Sequence, residues 1–181
     1  MERHLDELIA TLGAFRTLLP KVQEASQMLV NGLRQGNKIL TCGNGGSAAD
    51  ALHLAEELVG RFERDRRAWP AISLAADPTA LTCIGNDFGF EFVFSRQLEG
   101  LGKPGDLLVA FSTSGNSLNL VRALEAARQS GLRSIALLGK TGGRCRGLAN
   151  LEIIVPSSNG ARVQEIHTFI LHCWLSAIEA M

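Results

Sequence analysis

Five short apolar runs, separated by stretches with helical periodicity, constrain the fold of this chain more than any other feature of its sequence. They lie at residues 38–42, 70–75, 106–111, 134–138 and 152–155. A strand that is apolar along its whole length must be covered on both faces, which is typical of a parallel sheet between helices. The sequence therefore predicts a doubly wound α/β fold in three layers, with a mainly five-stranded parallel sheet.

The segments between these runs predict the helices. Residues 1–35 show apolar side chains at helical spacing and predict one long helix or two short ones, ended by Gly36-Asn37. A helix capped by Ser47 follows the first strand, and others are expected at 90–101, 117–130 and 161–180. No linker or repeat interrupts the chain. We therefore expect a single domain over 1–181, with an N-terminal helical segment (1–35) and an α/β core (36–181).

Composition excludes several classes of protein. The chain has 181 residues, 46% of them hydrophobic, and a formal net charge of zero, which fits a globular domain and gives no basic patch for nucleic acid. No apolar run reaches the roughly 18 to 20 residues of a membrane span, and the charged, amphipathic N-terminus does not resemble a signal peptide. The four cysteines form no CxxC pair, so reduced thiols and a cytoplasmic location are expected.

A hydroxyl-rich segment follows the third predicted strand. Residues 112–117, STSGNS, carry four hydroxyls just before a helix begins. Hydroxyls and the free N–H groups of a helix N-terminus are donors that can converge on a phosphate. Because the sequence lacks both GxxxxGK[ST] and GxGxxG, this neutral segment fits a sugar phosphate monoester better than a nucleotide. The alternative is an ordinary serine-rich turn with a helix cap.

Two glycine-containing segments follow other strands. Residues 43–47, GNGGS, come after the first strand, where glycine lets a ligand approach the main chain, or where they form a tight turn without a ligand. The carboxyl ends of parallel strands meet at one edge of the sheet, so this loop and the hydroxyl-rich segment should lie together. Residues 85–89, GNDFG, follow the second strand. There Asn86 and Asp87 would bind sugar hydroxyls, or they are simply turn residues.

Ionisable side chains recur at steps of four behind the first glycine loop. His53, Glu57 and Arg61 would share one face of the predicted helix. A histidine and a carboxylate four residues apart can bind one metal ion or act as a proton-transfer pair. The alternative is a surface Glu–Arg pair beside a histidine that has its own hydrogen-bond partner.

The last predicted helix carries Gln164, His167 and His172 among apolar residues. We interpret His167 as a core residue with one partner, whereas His172 lies in a longer apolar run and must also find a partner. Gln164 and His172 are separated by about 12 Å of helical rise and about 80° of rotation. One straight helix would not easily bring both to one ion, so a kink or a contribution from two chains would be needed.

These segments together resemble the phosphoheptose isomerase family of the sugar isomerase (SIS) domain superfamily. The matching motifs are GNGGS with the downstream AEEL and GRF, CIGNDFGF, STSGNS, and QEIH followed by His172. The resemblance implies an isomerase that converts sedoheptulose 7-phosphate to D-glycero-D-manno-heptose 7-phosphate for bacterial lipopolysaccharide core synthesis. It also implies one zinc ion per subunit and a cytoplasmic homotetramer whose active sites are shared between subunits.

The resemblance assigns roles to residues of this sequence. It implies that Glu57 is the catalytic base and His172 the acid. Its implied zinc ligands are His53, Glu57, Gln164 and His172. The implied substrate contacts are Asn44, Gly45, Gly46, Ser47, Glu57, Arg61, Asn86, Asp87, Ser112, Thr113, Ser114, Ser117 and Gln164. One departure is Ala161, where an acidic residue is frequent in the family, and a secondary polar contact is therefore in question.

Two other functions use the same fold. A related family of regulators binds the replication initiator protein, but it lacks the catalytic carboxylate and the final histidine, and both Glu57 and His172 are present here. A sugar-phosphate sensor without turnover would share the same phosphate-binding loops. Ketose–aldose isomerisation needs a base at carbon, an acid or electrophile at oxygen and an anchor for the phosphate, and the sequence offers all three.

Overall fold

The sheet has the predicted number and direction of strands. In the computed structural model, which describes residues 1–181, five strands lie in the order β2-β1-β3-β4-β5 and every neighbouring pair is parallel. The strands are β1 Ile39–Gly43, β2 Ala71–Ser73, β3 Leu107–Ser112, β4 Arg133–Gly139 and β5 Leu151–Val155. The predicted doubly wound α/β fold is therefore confirmed.

Seven α-helices surround the sheet. They are α1 Glu2–Phe15, α2 Leu19–Arg34, α3 Gly46–Val59, α4 Pro78–Asp87, α5 Ser95–Leu101, α6 Leu118–Gln129 and α7 Gly160–Glu179. A 3-10 turn at Arg16–Leu18 joins α1 to α2, so the N-terminal segment forms two helices rather than one. None of these helices combines the length and apolar character that crossing a membrane requires.

The predicted beginning of α3 was wrong. We expected Ser47 to cap this helix, but α3 already begins at Gly46, and no side chain caps its N-terminus. Gly45 lies at the cap position with a φ of +57°, a conformation that glycine adopts without strain. Ser47 is instead a buried residue of the first turn. The glycine loop is therefore shorter than expected and leads directly into α3.

The predictions between β2 and β3 were also partly wrong. Helix α4 was not predicted, and Asn86 and Asp87 lie in its last turn rather than in a loop that follows β2. The expected helix over 90–101 is interrupted: a 3-10 turn, Phe90–Phe92, precedes the short α5. A start signal for α4 was present, because the carboxylate of Asp77 accepts hydrogen bonds from the N–H groups of Thr79 and Ala80.

The sheet separates two apolar layers. Along β3, Leu107, Val109 and Phe111 face the layer formed with α2, α3 and α7, while Leu108 and Ala110 face the layer formed with α5 and α6. This alternation is what a strand buried on both faces requires. Trp174 of α7 is fully buried in the first layer, and its indole Nε1 donates a hydrogen bond of 3.0 Å to the carbonyl of Val22 in α2. The N-terminal helices are thus attached to the core through α7.

The fold brings the carboxyl ends of β1 and β3 side by side. Gly43 pairs with Phe111 in the register of these two strands, so the glycine loop and the hydroxyl-rich segment begin next to each other. Helices α3 and α7 pack against each other on the same side of the sheet. Side chains from both strand ends and from both helices can therefore contribute to one site.

Candidate active site

A small polar cavity lies at the carboxyl ends of β1 and β3. Its volume is about 110 Å³, and six of its eight lining residues are polar. The lining residues are Asn44, Ser47, Phe111, Ser112, Thr113, Ser114, Ser117 and Leu120. We call this cavity the hydroxyl cup. Five of its residues are the hydroxyl residues that the sequence analysis singled out, so the structure brings that set together.

Helix α6 directs its N-terminus towards the hydroxyl cup. Ser117 lies at the cap position, but no side chain caps the helix. The first N–H groups of a helix have no partner within the helix, and the helix dipole adds positive potential there. An anion in the hydroxyl cup would therefore meet both hydroxyl and backbone donors.

The loop between β3 and α6 is held in one conformation. The hydroxyl of Ser112 accepts a hydrogen bond of 2.9 Å from the N–H of Gly115, so its own proton remains available to a ligand. Gly115 has a φ of +67°, and a Cβ at this position would collide with the carbonyl of Gly142. The loop geometry therefore depends on glycine at position 115.

A pair of amides connects the glycine loop to α6. Asn44 Nδ2 donates to Asn119 Oδ1 at 2.9 Å, and Asn119 Nδ2 donates back to Asn44 Oδ1 at 2.8 Å. Asn119 is buried, so this reciprocal pair fixes the side chain of Asn44 at the rim of the hydroxyl cup. Sequence reasoning missed Asn119, because an asparagine in the first turn of a helix gives no signal of such a contact.

A cluster of three ionisable side chains lies between α3 and α7 of one chain: His53, Glu57 and His172. We call it the ionisable cluster. His53 Nε2 lies 3.4 Å from Glu57 Oε1, as their spacing of four residues on a helix predicts. The rings of His53 and His172 lie edge to face with centroids 5.1 Å apart. The ring of Phe62 stacks on His172 at 5.5 Å with an interplanar angle of 20°. These contacts of His172 come from its own chain and are contacts between rings. No hydrogen bond to the imidazole is formed, and His172 is only partly buried, so the polar partner expected from the sequence is not found.

The residues around this cluster differ in part from the predicted ligand set. The carboxylate of Glu56, which sequence reasoning missed, comes within 4.8 Å of the ligand atoms of His53 and Glu57. The amide nitrogen of Gln164 instead occupies the space that a Cβ at Gly46 would take. Of the four predicted zinc ligands, His53 and Glu57 therefore have their ligand atoms close together. The ring of His172 contacts that of His53, while Gln164 lies against the glycine loop. Imidazole nitrogen and carboxylate oxygen are donors that zinc prefers, so the cluster fits this ion.

Arg61, Asn86 and Asp87 are not among the residues that line the hydroxyl cup. Because α3 ends at Val59, Arg61 is not on the helix and does not continue the predicted column of ionisable groups. It is exposed, as are Asn86 and Asp87. The side chains of Asn86 and Asp87 are hydrogen-bonded to each other, with Asn86 Nδ2 donating to Asp87 Oδ1 at 2.7 Å.

Two further ionisable residues are buried near α7. His167 is a core residue, as predicted, and its Nε2 lies 3.4 Å from the carbonyl of Leu138. Burial lowers the pKa of His167 to about 4, although the hydrogen bond to Leu138 acts in the opposite direction. Asp50 of α3 accepts a hydrogen bond of 2.9 Å from the hydroxyl of Thr168. Burial raises the pKa of the Asp50 carboxyl, and Thr168 and the nearby His53 partly offset that effect.

Comparison with known proteins identifies the class to which this fold and site belong. Residues 3–139 match the model of the SIS domain family. This match covers more than half of the chain, and the chain is therefore a member of the SIS domain family.

Individual relatives show where the chain belongs within that family. The chain is 52% identical over 158 residues to a phosphoheptose isomerase of a Nitratiruptor species, covering 87% of this chain and 84% of that protein. It is 48% identical over 179 residues to a phosphoheptose isomerase of a Geobacter species, covering 99% and 92%. The solved structure of a phosphoheptose isomerase from Francisella tularensis has a TM-score of 0.96 and 34% identity, covering 99% of this chain and 96% of that one. The chain belongs to the phosphoheptose isomerases.

Proposed function

We propose that this isomerase converts sedoheptulose 7-phosphate to D-glycero-D-manno-heptose 7-phosphate. The observation that carries the proposal is that one helix, α3, contributes Ser47 to the hydroxyl cup and His53 and Glu57 to the cluster with His172, in a chain of this family. One group of residues suits a phosphate, and the other suits proton transfer. A regulator or a sensor would need only the first group.

The hydroxyl cup anchors the phosphate. Ser112 has a free hydroxyl proton, and the uncapped N-terminus of α6 adds backbone donors. Asn44, whose side chain is fixed by Asn119, lines the hydroxyl cup on the side of the glycine loop. Holding the phosphate fixes the distant reacting carbons relative to the ionisable cluster, and such positioning lowers the entropic part of the barrier.

The ionisable cluster moves the proton. Glu57 removes a proton from C1 of the ketose, and His172 donates one to the carbonyl oxygen at C2, which gives an ene-diol. Return of a proton to C2 and loss of the hydroxyl proton at C1 then give the aldose, so atoms and charge balance. His53 lies within 3.4 Å of Glu57 and orients its carboxylate.

The proposed cofactor is one zinc ion per subunit. His53, Glu57 and His172 would hold it, with Gln164 as the fourth ligand. When bound, zinc would act as a Lewis acid that polarises the carbonyl of the substrate.

We also propose a single-domain chain that forms a cytoplasmic homotetramer and supplies lipopolysaccharide core synthesis. Assembly is supported by two groups of exposed apolar side chains: Leu5, Ile9 and Leu12 at helical spacing on α1, and Val59 and Ile72, which line one surface pocket between α3 and β2. Contiguous exposed apolar surface is typical of faces that another chain covers. Sharing of active sites between subunits would account for Gln164, which lies against Gly46 of the glycine loop in its own chain.

Solvent exchange during turnover tests the reaction. The protein is incubated with sedoheptulose 7-phosphate in deuterated water, and the sugar is followed by NMR. We expect deuterium at C2 of the aldose, because a carboxylate base exchanges its proton with solvent. Failure of the protein to form product from any seven-carbon ketose phosphate would reject the enzyme and leave the regulator or the sensor.

A further inference from the structure

Glu179, at the end of α7, is hydrogen-bonded to the segment that follows α3. Its carboxylate accepts hydrogen bonds from the N–H groups of Phe62 at 3.0 Å, Glu63 at 2.9 Å and Arg64 at 2.9 Å. The same carboxylate pairs with Arg66 Nε at 3.0 Å. The Glu179 side chain is only 3% exposed. One buried carboxylate thus binds four residues of the segment 62–66, which lies outside any helix or strand.

Arg66 connects this arrangement to the end of α3. Its guanidinium donates to the carbonyls of Glu57 at 2.6 Å, Leu58 at 2.9 Å and Gly60 at 3.3 Å. The last carbonyls of a helix have no partner within the helix, and here an arginine satisfies them. A cation at this end is also favoured by the helix dipole. The Glu179–Arg66 pair therefore fixes where α3 ends.

Two residues of the ionisable cluster depend on these contacts. The ring of Phe62, whose N–H bonds to Glu179, stacks on the ring of His172. The carbonyl of Glu57, whose side chain is the proposed base, bonds to Arg66. Glu179 lies seven residues after His172 on the same helix, which places both on one face of α7. The contacts thus run from Glu179 to the proposed acid and to the proposed base.

We propose that Glu179 and Arg66 are positioning residues, which set the orientation of His172 through Phe62 and of Glu57 through the end of α3. The inference rests on the proposed function for the roles of His172 and Glu57, but the geometry itself does not. Neither Glu179 nor Arg66 is assigned a contact with substrate or metal. The alternative is that the pair only stabilises the fold.

The chain offers a matched control for this alternative. The carboxylate of Asp106 also accepts two backbone N–H groups, from Lys38 at 2.9 Å and Lys103 at 2.8 Å, and also pairs with a cation, the ammonium of Lys38. Asp106 is buried. It directly precedes β3 and therefore lies at the amino ends of the strands, opposite the site. Asp106→Asn should thus reproduce the loss of stability without reaching the ionisable cluster.

The experiment compares full-length wild type, Glu179→Gln and Asp106→Asn. Cobalt(II) affinity is measured by competition with a chromophoric chelator. We expect Glu179→Gln to weaken it by about tenfold or more, the size of effect typical of groups that orient metal ligands. Asp106→Asn should leave the cobalt affinity unchanged, although both variants lower the melting temperature. Equal cobalt affinities in the two variants would overturn the positioning role.

A second measurement does not need the metal. In metal-free protein, the stacked ring of Phe62 should move the Cε1 proton of His172 upfield in the NMR spectrum, and His172→Gln identifies that signal. We expect the upfield shift to be lost in Glu179→Gln and kept in Asp106→Asn. A retained shift in Glu179→Gln would refute the inference even if the wild type binds no metal or does not turn over substrate.

A second pair of variants covers the case in which Glu179→Gln does not fold. Phe62→Leu removes the stacked ring, whereas Phe62→Tyr retains it. We expect Phe62→Leu to lower the cobalt affinity, whereas Phe62→Tyr should bind cobalt with the affinity of the wild type. If both variants bind cobalt as the wild type does, the contact with Phe62 does not position His172 and the proposal is wrong.

Discussion

At the scale of single residues, local geometry decided what could be predicted. His53 and Glu57 were placed together correctly, because four residues on a helix are always neighbours. The environments of the two histidines of α7 depended on packing instead. His167 is fully buried, whereas His172 is only partly buried, although the apolar run around His172 is the longer one in sequence. The contact of Gln164 with Gly46 could not be predicted for the same reason, since it exists only once α7 packs on the glycine loop.

The hydroxyl cup makes a prediction about substrate affinity. Replacing Ser112 and Ser117 together by alanine removes two donors that line the cavity. Each lost charge-assisted hydrogen bond should weaken phosphate binding by about 1 to 3 kcal/mol, so the KM for the sugar phosphate rises far more than kcat falls. Ser176→Ala, at an exposed position on α7, is the control. A KM equal to that of the control would remove the phosphate assignment.

A carboxylate far from the site provides the control for a test of the proposed base. Glu57→Gln keeps the shape of the side chain but cannot accept a proton, so turnover should fall by about four decades, roughly 5.5 kcal/mol of transition-state stabilisation. Glu24→Gln, at an exposed position on α2, should retain the activity of the wild type. Steady-state rates measure the turnover of both variants, and far-UV circular dichroism checks that both are folded. Near wild-type turnover by Glu57→Gln would reject the assigned base.

At the scale of elements, hydrophobic pattern predicted the strands and failed for the shorter helices. The strands were recognisable because burial on both faces demands continuous apolar runs. Helix α4 was missed since its sequence, PTALTCIGND, is rich in residues with low helix propensity. The start of α3 was misassigned because Ser47 is a frequent cap residue, while the actual start depends on the positive φ of Gly45.

The contacts at the end of α7 predict a specific dependence of stability on pH. Burial alone would raise the pKa of Glu179, but three backbone N–H groups and Arg66 together lower it to about 2. The folded state therefore favours the ionised carboxylate. The resulting stabilisation is fully present above the usual glutamate pKa of 4.5 and is lost as the pH falls from there towards 2.

Denaturant unfolding of wild type and Glu179→Gln measures this dependence. The wild type should be more stable at about pH 6, and the difference in the free energy of unfolding should shrink steadily below about pH 4.5. Asp77→Asn, which alters an exposed carboxylate at the start of α4, reports the contribution of a surface group. A difference between wild type and Glu179→Gln that stays constant down to about pH 2 would contradict the lowered pKa of Glu179.

At the scale of the whole molecule, the sequence predicted the fold class and the edge of the sheet where the site lies. Both follow from general rules: parallel strands need helices on both faces, and their carboxyl ends form the ligand crevice. How the predicted zinc ligands divide between chains did not follow from the sequence. Helical rise alone separated Gln164 from His172, and no pattern showed that His53, Glu57 and His172 would meet within one chain.

That arrangement makes a prediction for mixed oligomers. Since Glu57 and His172 come from the same chain, mixing inactive Glu57→Gln chains with inactive His172→Gln chains should restore no activity, because no site regains both residues. Mixing Gln164→Ala chains with His172→Gln chains should restore part of it if Gln164 reaches a neighbouring subunit. A site with its own His53, Glu57 and His172 would then receive Gln164 from the other chain.

Hybrid oligomers are verified by native mass spectrometry, and wild-type chains taken through the same reassembly set the maximum recovery. Recovery in the first mixture would contradict the single-chain cluster, and its absence in the second would reject sharing of Gln164 between subunits.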